Sequence, residues 1–188
     1  MKEELVDILN KDGEKTGQVM LKSEAHKRNL WHGGAHLWIY NSDWEVLLQL
    51  RHPTKVIRPN VWDVSVAGHI ASGSSPKATI QREADEELGL KVDPDEFSFL
   101  GIKRVEERLQ DGTYHRALNW SYITKQDINL KSLKLEVDEV ADIRWIPLEE
   151  FENDLKDKEK SKKYTPARIE LFDEVISYIK QLRDKNEK

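Results

Sequence analysis

The chain has no cysteine among its 188 residues, which removes disulfides, thiolate metal sites and thiol nucleophiles together. It has no apolar run long enough to span a bilayer and no signal-peptide pattern, so the expected address is the cytoplasm, with no membrane partner. Basic charge is in the minority, with 30 Lys and Arg against 35 Asp and Glu and a formal net charge of −5. Nucleic-acid scaffolds carry a basic face and a high pI, so binding of that kind is not expected. Internal repeats and low-complexity tracts are absent too. What remains is 38% apolar residues over a length suited to one buried core. A single domain over 1–188 is expected, with its core at about 31–152, an N-terminal ribbon and short helix within 1–30, and a C-terminal helix at 165–184.

Period-two alternation marks strands at 4–9 and 16–21, joined by the turn Asn10-Lys11-Asp12-Gly13. A short helix is expected at 23–29, and residues 35–40 with 46–50 read as a hairpin across Asn41, Ser42 and Asp43. Further strands are expected at 61–67, 97–104, 114–124 and 141–146, with Asp111-Gly112 turning between the second and third of these. A helix begins at Pro147. Residues 153–163 are charged and nearly free of apolar side chains, which reads as a mobile connection. Beyond it, Ile169, Phe172, Val175, Ile176 and Ile179 recur at helical spacing over 166–182, and that helix is expected to pack on the domain.

The densest chemistry lies before Gly89. Glu83, Asp85, Glu86 and Glu87 place four carboxylates within five residues, and like charges one turn apart repel. Ser75 suits an N-cap, Pro76 the first helical turn and Gly89 a left-handed C-cap, so the segment is bounded as a helix. A step of about 100° per residue puts Glu83, Glu86 and Glu87 on one flank, beside an apolar stripe of Ile80, Ala84 and Leu88. Asp85 points elsewhere. An acidic helix face is most often only solvated. Three converging hard oxygen donors at this spacing instead suit Mg²⁺ or Mn²⁺.

These residues resemble the Nudix box. Gly68, Arg82, Glu83, Ala84, Glu86, Glu87, Gly89 and Leu90 fall at its defined positions, and Ser74 stands where the pattern has its first glutamate. The resemblance implies an α+β fold, the Nudix αβα sandwich with a mixed sheet, here with a small N-terminal β-ribbon and a C-terminal helix. It implies a metal-dependent pyrophosphohydrolase in which Glu83, Glu86 and Glu87 hold the cation and Arg82 orients Glu83 or the helix. The base differs among such enzymes, which leaves Glu86, Glu106, Glu107 and Glu139 open, with Glu139 the first to test outside the box. Arg51, Lys55 and Arg58, near the end of a predicted strand, are candidates to meet substrate phosphates, and His69 to touch substrate or metal. Trp62 and Trp120 fit either a stacking platform or the core. The family often forms homodimers, although no segment marks an interface.

A wider and looser resemblance covers residues 3–90. Ala25-His26, Leu30-Trp31-His32, His36-Leu37-Trp38, Trp62-Asp63-Val64-Ser65 and Ala67-Gly68-His69 are similar to the isopentenyl-diphosphate isomerase branch. There, histidines matching His26, His32 and His69 hold a metal, with an acid-base cysteine before the Gly-His pair and two glutamates on a later strand. In this chain the cysteine position is Ala67, and the later strand reads His115-Arg116-Ala117-Leu118-Asn119-Trp120. Alkene protonation needs a strong, well-placed acid, so a hydrolase is expected. Its substrate is a nucleoside diphosphate derivative or a related small diphosphate. The alternatives are the isomerase itself and a non-catalytic nucleotide-binding module, the latter supported by Ser74.

Overall fold

A computed structural model of the chain describes residues 3–55, 57–109, 112–166 and 169–186. In order they form β1 (Leu5–Leu9), β2 (Lys15–Leu21), α1 (Lys22–Lys27), β3 (Trp31–Tyr40), β4 (Glu45–Arg51), β5 (Trp62–Asp63), β6 (Val66–His69), α2 (Pro76–Leu88), β7 (Ser98–Arg108), β8 (Tyr114–Lys125), β9 (Val140–Pro147), α3 (Leu148–Lys156) and α4 (Ile169–Asn186).

β3 organises the rest. It is buried from His32 to Tyr40, as expected of a strand covered on both faces. Ala35, Leu37 and Ile39 meet Ile80, Ala84 and Leu88 of α2 on one side. Trp38 and Tyr40 meet Phe151 of α3 and Phe172, Val175 and Ile176 of α4 on the other. The result is the αβα sandwich. β8 runs parallel to β3 from the His32↔Ala117 pair to Tyr40↔Lys125, and β6 runs antiparallel to it from Gly34↔His69 to Leu37↔Val66. With β1–β2, β4–β9 and β7–β8 antiparallel, the sheet is mixed. No described helix is long and apolar enough to cross a membrane.

Three expectations change. The hairpin at 35–50 closes only at Tyr40↔Val46, after which β3 turns to β8 and β4 to β9. The strand expected at 61–67 is broken at Val64 and Ser65 for a related reason. Ser65 Oγ accepts from the Ile39 N–H at 2.9 Å and donates to the Leu47 carbonyl at 2.6 Å, so one side chain staples β3 and β4 where their backbones part. Residues 153–163 are ordered: Asp154, only 3% exposed, accepts a hydrogen bond from the buried Tyr164 hydroxyl at 2.8 Å and pairs with Lys163 at 2.5 Å. Composition registers that segment's charges but not the single buried node that anchors them. At the β7–β8 turn Asp111 lies outside the described residues, whereas Gly112 takes a left-handed φ of 86°. Phe172, Val175, Ile176 and Ile179 of α4 are buried as the spacing implies, while the side chain of Ile169 lies outside the described residues.

Candidate active site

Local chemistry sets the limits of α2. Ser75 Oγ accepts from the Ala78 N–H at 3.2 Å, Pro76 opens the first turn, and Gly89 closes the helix with φ 62°. Burying Ile80, Ala84 and Leu88 against β3 fixes the helix rotation and leaves Glu83, Glu86 and Glu87 on the neighbouring flank. Glu83 then lies over Gly68 of β6 so closely that a Cβ there would come within 2.2 Å of Glu83 Oε1. Only glycine permits this approach of strand to carboxylate.

Arg82 donates to Glu83 and to Glu86, each at 2.7 Å, and to Glu4 at 3.1 Å, so it steadies two members of the trio and ties the helix to the N-terminal ribbon. Glu87 is buried and accepts from Gln49 Nε2 at a long 3.4 Å. Burial pushes the Glu87 carboxyl up to about 8, with the charges of Glu83 and Glu139 adding to the shift. Burial also raises Glu83 to about 7, against the pull of Arg82. Both carboxyls stand in a space too dry for their charged forms, which a bound cation would favour. Gln49 Oε1 is buried without a hydrogen-bond partner among the described residues, an oxygen suited to a cation or its water. All-oxygen donors and an orphaned amide oxygen fit a hard divalent cation.

Glu139 joins this cluster from just before β9. Its charge is felt at Glu87, its carboxylate pairs with Lys55, and its carbonyl accepts from the His52 N–H at 3.0 Å. The loop bearing Lys55 is held by Arg51, which donates to the carbonyls of Arg58 at 3.0 Å and Ile57 at 2.9 Å and faces the buried Asp63 at 3.7 Å. Arg58 itself pairs with Glu107, while Glu106 pairs with Arg116 at 2.7 Å. Asp85 is exposed and reaches Lys91 at 2.7 Å. Ser74 is half-buried at the helix start, its Oγ 3.5 Å from Thr79 Oγ1. Trp62 packs on the α3–α4 side of the core beneath the Arg144 guanidinium, and Trp120 packs on the α2 side.

A second cluster lies on the other face of the sheet. Strand alternation puts His69 opposite in sense to its neighbour Gly68, and His32, Gly34 and His36 on one face of β3. His26 Nε2 is 3.1 Å from His32 Nε2, and the ring nitrogens of His26, His32 and His115 lie within 4.8 Å of one another. His69 stacks on His32, with ring centroids 5.2 Å apart, and stands 6.5 Å from the ring of His115. Burial lowers the pKa of His26 and His69, and lowers His32 to about 4, so these rings are neutral at pH 7. Further along this face a cavity of about 250 Å³ is lined by His36, Lys103, Val105, Asn119, Leu171 and Glu174.

Gln49, Glu4 and His115 escape the sequence reading. Gln49 and Glu4 are reached only through pairing of strands far apart in the chain. His115 had one available signal: it is a histidine at the start of a strand whose later residues read as apolar core.

A NUDIX domain family model matches residues 30–167. The chain belongs to the Nudix family. It is 35% identical over 182 residues to Nudix hydrolase 3 of Arabidopsis thaliana, covering 92% of this chain but only 23% of that longer protein. It is 33% identical over 162 residues to an uncharacterized Nudix hydrolase of Clostridium acetobutylicum, covering 84% of this chain and 77% of the relative. Isopentenyl-diphosphate Delta-isomerase of Escherichia coli is similar at 28% identity over 156 residues, or 79% of each chain. Among solved structures, DR0079 of Deinococcus radiodurans shares the fold, with a TM-score of 0.67 at 21% identity over 90% of this chain and 97% of its own. In this Nudix protein the box forms a helix whose charged flank is gathered around a strand glycine.

Proposed function

We propose that this Nudix protein is a pyrophosphohydrolase dependent on Mg²⁺ or Mn²⁺, acting on a nucleoside diphosphate derivative or a related small diphosphate. The observation that supports this reading is the electrostatic coupling of four carboxylates in a dry space, Glu86 to Glu83, Glu83 to Glu87, and Glu87 to Glu139 from just before β9. Glu83, Glu86 and Glu87 are the residues that would hold the cation. When bound, it supplies charge stabilisation on the phosphate oxygens and a lowered pKa for water. Arg82 keeps Glu83 and Glu86 in register. Glu86, whose side chain is 58% exposed, and Glu139, steadied by Lys55, are the two carboxylates assigned in this reading to accept a proton from attacking water. Lys55 presents an ammonium to the substrate's phosphate and Arg51 holds its loop, whereas His69, expected to touch substrate, lies with the other histidines on the opposite face of the sheet. Ala67 offers no exchangeable proton, which disfavours isomerase chemistry.

The test incubates purified protein with Mg²⁺ or Mn²⁺ and a panel of nucleotide sugars, dinucleoside polyphosphates, nucleoside triphosphates, thiamine diphosphate and isopentenyl diphosphate, with products separated by chromatography. Phosphate-ester products that disappear in Glu86→Gln are expected. Double-bond migration without phosphoanhydride cleavage would instead make the protein an isomerase. Tight binding without turnover would make it a sensor.

A further inference from the structure

β4 carries one polar side chain in an otherwise apolar interior. Val46, Leu47 and Leu48 are fully buried, and Gln49 follows them at only 3% exposure. Alternation puts Gln49 on the same face as Leu47, which packs with Ile80, Ala84 and Leu88, so the amide stands against the acidic helix. Pairing on both sides, with Asp63 of β5 and Ile143 of β9, fixes its backbone. The carboxylate it meets is fixed as well. The Glu87 carbonyl accepts from the Glu136 N–H at 2.9 Å, and the Glu136 carbonyl accepts from the Glu139 N–H at 3.1 Å, so backbone bonds tie both acidic residues to one frame.

An ionised carboxylate only accepts, so Gln49 turns its NH₂ toward Glu87 and Oε1 is left as an acceptor. No described residue donates to that oxygen. The cations of this region are engaged elsewhere, Lys55 on Glu139 and Arg51 on the carbonyls of Ile57 and Arg58. A buried acceptor without a donor costs stability, and methionine would fill a similar volume without that cost.

We propose that Gln49 is a positioning residue of the metal centre: its Oε1 accepts a hydrogen from a water in the cation's shell while its Nε2 steadies the Glu87 carboxylate. The inference rests on the metal-dependent hydrolase reading and adds to it a residue from outside the box helix. A small divalent cation such as Mg²⁺ keeps several waters when few carboxylates bind it, and those waters turn their hydrogens outward. In a dry site the acceptors for them must come from the protein. An amide oxygen supplies one without adding a negative charge to Glu83, Glu86, Glu87 and Glu139, which already repel one another. One side chain thus orients a ligand through its donor and a water through its acceptor, as outer-shell groups do at other metal centres.

The test titrates EDTA-treated protein with Mg²⁺ and with Mn²⁺ by calorimetry. Gln49→Met, which keeps the length and loses both polar atoms, should weaken binding by about 10–100-fold, the usual effect of removing an outer-shell partner. Gln49→Glu keeps an acceptor and loses the donor, and should bind at least as tightly as the unmodified protein. A Gln49→Glu variant as weak as Gln49→Met would make the donor to Glu87 the whole role of this residue and overturn the proposal. Should Gln49→Met fail to fold, NMR of the unmodified protein decides: saturating Mg²⁺ should move the ¹³C signal of the Gln49 side-chain carbonyl, and an unmoved signal overturns the proposal. Absence of Mg²⁺ binding by the unmodified protein, or binding that survives Glu86→Gln/Glu87→Gln, defeats the hydrolase reading and this inference with it. Normal binding undiminished in Gln49→Met defeats this inference alone.

Discussion

The acidic flank of α2 and the imidazole cluster at the start of β3 are opposite solutions to one problem. Each gathers ionisable groups in a space too dry for their charged forms. Burial raises Glu83 and Glu87 and lowers His26, His32 and His69. The carboxylates nevertheless have a strong local counterion in Arg82, whereas burial and the neighbouring rings act in the same direction on His32 and His69. They also differ in origin. One is written within a single helix and a glycine; the other exists only because a parallel strand pair and a short helix bring their ends together.

The largest effect that would sharpen this contrast is loss of turnover. Glu87→Gln should reduce kcat by at least about 100-fold under saturating Mg²⁺, as removal of a preorganised charged group commonly does, and His115→Ala should cost far less with a substrate that reaches only the acidic site. Comparable losses in both variants, read from steady-state kinetics, would merge the two clusters into one centre. Next comes Gly68→Ala. Its methyl group would stand 2.2 Å from Glu83 Oε1, so Glu83 must swing away. The expected cost is about 1–3 kcal/mol of stability with a weakened Mg²⁺ affinity.

Metal-free stability against pH separates the clusters by sign. A carboxylate whose folded pKa is raised stabilises fully below its unfolded pKa and loses that contribution as pH rises through the folded value. Glu83 and Glu87 should therefore make the apoprotein lose stability, on the order of a few kcal/mol, between about pH 5 and 8. Depressed histidines act the other way: their contribution is present above about 6.5 and is lost as pH falls toward 4. Urea unfolding of EDTA-treated protein should thus fall above pH 6.5 and flatten there in Glu83→Gln/Glu87→Gln. A slope unchanged by that double substitution would break the comparison. The smallest change is Ser74→Glu, which adds a carboxylate at the start of α2, where the helix dipole favours it by about 0.3–1 kcal/mol. A few-fold gain in rate at limiting Mg²⁺ is expected; no gain would mean another group already fills the position.

Most strand positions, the caps of α2 and the apolar face of α4 were legible, because alternation, helical spacing and capping are local properties. The charged run at 153–163 was not, since its order depends on Asp154 meeting Tyr164 in the core. Nor was the parting of β3 from β4, which Ser65 bridges with two hydrogen bonds.

What the amino-acid order determined alone is the acidic helix: its start, its stop and the rotation that puts three carboxylates on one flank, all encoded within a few turns of one segment. Tertiary structure decided what surrounds that helix. It set Gly68 beneath Glu83, brought Glu139, Lys55 and Gln49 to the same place, and collected His26, His32 and His115 from three separate elements. Those juxtapositions arise from strand pairing between residues far apart in the chain, and no local periodicity carries that information.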